Sequence, residues 1–223
     1  MLYERDMLGT FDTVLTDDIA LRMAAYALRQ NRFSLASRFN TYIRSPPGGM
    51  SDLEWLLRRV RTDVFAGHAE RGTNALLDYL NSDIAIDAPE LDRVLQIAFD
   101  LQIIEGHDLA LRLFEAVGER NLSGRQRREL LFWMAQSHAA ENRSARAAEL
   151  YLRSADYKDE GRDSWGMSAR FQAAKAMTAG GLYDDARITY LVLLKATANE
   201  KRQLQIRQRL QELKLLAAVR ERE

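Results

Sequence analysis

Ala179 to Leu194 reads AGGLYDDARITYLVLL, two glycines between two apolar stretches with a pair of aspartates just behind them. A phosphate-binding loop would need a lysine and a hydroxyl after its glycines and a strand before them. Neither is present. A glycine just past a helix end is instead the usual C′ residue, because the chain must turn through positive φ there. Asp184 and Asp185 then fall in the first turn of the next helix, where carboxylates stabilise the positive end of the helix dipole. The stretch therefore reads as a corner between a helix ending near Ala179 and another starting near Tyr183.

Working outward, helical spacing recurs along the chain. Ile19, Met23, Tyr26 and Ala27 follow one another at i, i+4, i+7 and i+8, and so do Val94, Ile97, Ala98 and Leu101. Leu131, Met134, Ala135 and His138 form a third such stripe. Strand-type alternation is nearly absent, and the only prolines are Pro46, Pro47 and Pro89. The breaks carry helix-start chemistry. Thr16 or Asp17 can cap a helix, Ser51 stands three residues before Glu54, and Ser123 stands three before Gln126. Asp87 precedes a first-turn Pro89, and Asp163 or Ser164 can cap a helix after the acidic connector DYKDEGRDSW at 156–165. The pattern predicts about eleven helices and no sheet, with short connections that make sequential helices antiparallel neighbours.

A repeat underlies these helices. Small residues recur twelve apart in Ala24 and Ala36, Ala98 and Ala110, Ala135 and Ala147, and Ala174 and Ala186. Phe114, Tyr151 and Tyr190 follow the last three pairs by four residues. A further unit would use Ala75 and Tyr79, with Asp63 where alanine is expected. Two hairpin helices come closest where both carry small side chains, with axes roughly 8–10 Å apart. No single hairpin can bury its faces, so neighbours must stack.

The alanine pairs, the aromatics behind them, and Gly181, Tyr183 and Ala186 in GGLYDDA resemble the tetratricopeptide repeat (TPR) family. Val94, Leu131 and Arg170 stand where that family usually has its first-helix tryptophan, and its closing proline is absent. The resemblance implies an all-α, right-handed superhelix of about five helical hairpins. They would lie near 17–45, 51–83, 88–119, 124–157 and 163–197 of a single solenoid domain, with a capping helix at 199–220. It also implies a groove lined by first helices. The residues it points to are Asp92, Phe99 and Gln102, then Glu129, Phe132 and Gln136, then Phe171, Lys175 and Thr178.

Composition narrows the functions available. Formal net charge is zero, which disfavours a nucleic-acid binder. No cysteine occurs, so disulfides, thiol nucleophiles and cysteine zinc sites are excluded. That fits an oxidising compartment such as the periplasm, although a cytoplasmic protein can lack cysteine too. No apolar run is long enough for a membrane span. His68, His107 and His138 lie in different units without a zinc-binding spacing, and no nucleophile motif is present, so neither metal nor cofactor is expected. The basic clusters at 58–61 and 125–128 read as solvated helix faces.

In the last helix, Ile206, Leu210, Leu213 and Ala217 make one apolar stripe. It suits a cap over the final hairpin, and alternatively a docking helix for a second subunit. The expected role is a non-enzymatic bacterial scaffold that binds a peptide or partner protein in the groove. The alternative is a non-catalytic helical arm of a larger cell-envelope enzyme or polysaccharide-export assembly.

Overall fold

A computed structural model describes residues 15–82, 84–157 and 164–220. These form eleven helices and no strand. In order they are α1 (Asp17–Arg29), α2 (Phe33–Asn40), α3 (Asp52–Phe65), α4 (Ala69–Leu80), α5 (Ala88–Ile103) and α6 (His107–Gly118). They continue as α7 (Gly124–Ala140), α8 (Ser144–Asp156), α9 (Ser164–Ala179), α10 (Tyr183–Ala196) and α11 (Glu200–Arg220). The chain divides into two compact units, Met1–Val117 and Gly118–Glu223. In the first, α1 packs on α2, α2 on α3, and α3 on both α4 and α5. In the second, α7 packs on α8, α8 on α9, α9 on α10, and α10 on α11.

Side chains set the starts of these helices. Thr16, not Asp17, caps α1 by accepting from the Ile19 amide. Asp17 is used elsewhere: its Oδ2 accepts the Arg44 and Ser45 amides at 3.0 and 3.3 Å and pins the loop that follows α2. Asp87 with Glu90, and Ser123 with Gln126, form reciprocal capping boxes at α5 and α7. Of the two expected caps, Ser164 is the first residue of α9 itself, and Asp163 lies outside the described residues, as does most of the acidic connector before it.

The corner that the glycines mark occurs five times. Each hairpin turns through three residues, and the middle one has positive φ: Asn31 (54°), Gly67 (83°), Glu105 (61°), Asn142 (58°) and Gly181 (73°). The next residue donates its amide five residues back, at 2.8–2.9 Å, to the carbonyls of Ala27, Asp63, Leu101, His138 and Met177 respectively. That is the Schellman bond, which satisfies a carbonyl left open at the helix end. The carbonyl of the same residue then starts the following helix, accepting from Ala36, Gly72, Ala110, Ala147 or Ala186.

Counting from these centres puts the repeat in register. The residue seven before is Ala24, Val60, Ala98, Ala135 or Ala174, and each is at most 2% exposed. The residue five after is Ala36, Gly72, Ala110, Ala147 or Ala186, and all five are buried. Gly72 therefore replaces Ala75 as the small residue of the second hairpin; Ala75 is exposed. A Cβ on Gly72 would stand 3.3 Å from Val60 Cγ1 and 3.2 Å from Asp63 Cβ. The larger valine on α3 is accommodated by removing the side chain opposite it. Leu76, Phe114, Tyr151 and Tyr190 sit four residues further on and are buried, so Leu76 replaces Tyr79.

Helix α1 departs from its periodicity. Ile19, Met23 and Tyr26 are 43–54% exposed, and the buried stripe is Ala20, Ala24 and Ala27. Close approach to α2 selects the small face over the more apolar one. At the other end of the chain, Ile206 and Leu213 of α11 are buried in the core of the second unit, with Leu210 packed beside them. The expected capping stripe is in place.

Glu105 is the one turn centre that is neither glycine nor asparagine, and a side chain in this conformation costs roughly 1–2 kcal/mol. Glu105→Gly should stabilise the chain by about 1 kcal/mol in urea unfolding. Gly67→Ala, where a Cβ meets nothing within 4 Å, should destabilise it by a similar amount through backbone strain alone.

Candidate functional site

In the first unit, Asp92 is exposed on α5 and Gln102 is half-buried. Phe99 is half-buried, its ring 6.0 Å from that of Phe114 on α6. In the second unit, Gln136 on α7 and Lys175 on α9 are exposed. Glu129 is half-buried and paired with Arg125 at 3.0 Å. Thr178 directs its hydroxyl to the Ala174 carbonyl at 2.8 Å, satisfying it within its own helix.

The two remaining aromatics are packing residues. Phe132 has ring contacts with Trp133 (5.5 Å), Tyr151 (5.1 Å) and Trp165 (5.1 Å). Phe171 meets Tyr190 at 5.7 Å. Both occupy the position ten residues before a turn centre, where Leu21, Leu57 and Leu95 stand in the other hairpins. These edge-on and tilted ring pairs suit the aromatic quadrupole and hold α7 to α8 and α9 to α10. Asp92, Gln136 and Lys175 remain exposed. Of these, Gln136 and Lys175 lie in the second unit. They share one register, six residues before the turn centre.

Two polar clusters have no counterpart in the sequence pattern. Ser37 donates to Asp63 Oδ1 at 2.6 Å, and Arg71 grips both Asp63 oxygens at 2.7 and 3.1 Å while donating to Ser37 Oγ at 2.8 Å. This triad joins α2, α3 and α4, and explains an aspartate in a packing layer. Asp100, whose side chain is 2% exposed, has Arg61 Nε at 2.8 Å and Gln96 Nε2 at 3.3 Å. A buried carboxylate is tolerated only when paired in this way.

In the basic clusters Arg58 and Arg125 are exposed as expected, but two arginines depart from a purely solvated face. Arg61 serves the buried Asp100, and Arg128 is itself buried, with its guanidinium 5.4 Å from the Trp165 ring centre. Only the arrangement in space could find these partners, which lie 39 and 37 residues away.

His68 is exposed, His107 half-buried and His138 buried. Among the described residues, no three histidines or acids gather as a metal site would require. No helix among them is long and apolar enough to cross a membrane.

Burial pushes the Tyr151 phenol up to about 12, and burial likewise raises Tyr190. Because the folded state holds the neutral phenol more tightly, the stabilisation from Tyr151 is complete below pH 10. It is lost as pH rises towards 12. Tyr151→Phe should flatten the fall in unfolding free energy between these limits, by on the order of 2 kcal/mol, measured by denaturant titrations at stepped pH. Comparison of the chain with models of known protein families and with curated protein sequences gives no match.

Proposed function

We propose that this protein is a non-enzymatic scaffold, built as a TPR-like superhelix, that holds a peptide or partner protein against its first helices. One internal comparison carries the proposal. Seven residues before each turn centre the side chain is always small or valine: Ala24, Val60, Ala98, Ala135 and Ala174. One residue later stand Ala25, Arg61, Phe99, Gln136 and Lys175, five residue types at one register, of which Arg61 pairs with Asp100 and Phe99 lies beside Phe114. A scaffold whose packing is fixed and whose adjacent position varies from unit to unit is suited to reading an extended partner unit by unit.

Half-buried Glu129 and exposed Gln136 and Lys175 supply an acid, an amide and a cation on α7 and α9. These are side chains that can hydrogen-bond a peptide backbone or pair with its charges. The cysteine-free composition supports an oxidising compartment, the periplasm, as the setting.

Immobilised wild-type protein should capture a partner from lysate that mass spectrometry identifies. Gln136→Ala with Lys175→Ala should weaken its binding about tenfold, roughly 1.4 kcal/mol, with an unchanged thermal melt. Unchanged affinity would move the binding surface off this register.

A further inference from the structure

Helix α11 has an apolar inner face and, opposite it, an outer face on which leucine and glutamine share one seam. Its inner stripe meets the core of the second unit through Ile206, Leu210 and Leu213, with Ala217 half-buried on the same face. Two positions out of phase, about 200° around the helix, runs a second stripe: Leu204, Gln208, Gln211, Leu215 and Ala218. Leu204 is 58% exposed and Leu215 is 70% exposed. The steps of four, three, four and three are the a/d spacing of a coiled-coil seam, with Leu204, Gln211 and Ala218 at d and Gln208 and Leu215 at a.

We propose that this outer stripe is the contact surface for a second copy of the chain, with the two α11 helices side by side and parallel. The flanking charges select both the occupant and the direction. In this register Arg207 is a g position and Glu212 the following e position, and both are exposed. Parallel helices bring g of one chain to the next e of the other, so Arg207 of each copy meets Glu212 of its mate, twice per pair. Glu212 already receives Arg209 at 2.6 Å through Oε2, which leaves Oε1 for the second guanidinium.

An antiparallel pair would put g beside g and face Arg207 with Lys214 of the other copy. The seam is also self-complementary in the parallel sense. Leucine meets leucine at 204 and 215, and glutamine meets glutamine at 208 and 211, where paired amides fix the register at a cost in stability. Two leucine layers and two glutamine layers make a reversible dimer. The Arg207–Glu212 pairs lie at its rim, so salt weakens it.

The absence of cysteine makes the test direct. Leu215→Cys should form a covalent dimer in oxidised glutathione, because a parallel pair sets residue 215 beside its own counterpart. Leu204→Cys should behave alike. In an antiparallel pair centred midway between the two leucines, these self-pairs would stand about 16 Å apart, too far for a disulfide. Leu215→Glu should make the chain monomeric by light scattering, without changing its thermal melt. The proposal is overturned by a wild-type chain that is monomeric at high micromolar concentration. It is equally overturned by cross-linking that occurs only when Leu204→Cys and Leu215→Cys are combined, or by a dimer that survives Leu215→Glu.

Discussion

Helix axes separated by little more than their own backbones leave room between them for a methyl group and not much else. In this protein that constraint acts at one place in each of five hairpins, seven residues before the turn and five after it. Ten buried positions meet it with eight alanines, one valine and one glycine. The exception shows the rule at work: Val60 takes more space, and Gly72 opposite gives it up. Once the crossings are fixed, the larger side chains find their places. Phe114, Tyr151 and Tyr190 lie one turn beyond the second small residue and fill the wedge that the crossing opens. The turn itself is held by the same positive-φ geometry and the same Schellman bond each time.

The all-α class, the hairpins and most of the crossing residues are legible in the sequence because alanine pairs at constant spacing have a direct geometric meaning. The turn centres are only partly legible. Gly181 announces itself, whereas Asn31, Asn142 and especially Glu105 reach the same conformation without glycine. The second hairpin does turn at a glycine, Gly67, but its helices cross at Val60 and Gly72, so a pattern of paired alanines passes over it. That is why the sequence pattern points to Ala75 where the structure uses Gly72. The exposed stripe on α1 misleads for a different reason. Periodicity identifies the most apolar face, but a tight crossing buries the smallest one, and in α1 these differ.

Sequence carries less of the candidate site. Phe132 and Phe171 share their residue type with groove aromatics, and only their ring partners mark them as packing residues. Asp63, Asp100 and Arg128 find partners 26 to 39 residues away or across helices, which no local pattern encodes. One register differs in residue type from unit to unit, the side chain just past each small crossing residue: there Gln136 and Lys175 are exposed, while Arg61 and Phe99 are engaged by Asp100 and Phe114. Function in a repeat array resides in such variable positions, since the neighbouring ones are committed to holding the helices together.

The dependence on small crossing residues can be measured against an internal control. Ala147 is fully buried at the crossing of α7 and α8, and Ala145 is exposed on the same helix. Leucine at each, compared by equilibrium urea unfolding, separates a crossing effect from any general effect of leucine in α8. Ala147→Leu should lower the unfolding free energy by about 1–3 kcal/mol, while Ala145→Leu should stay within about 0.5 kcal/mol of the parent. Equal values for the two would contradict the crossing constraint.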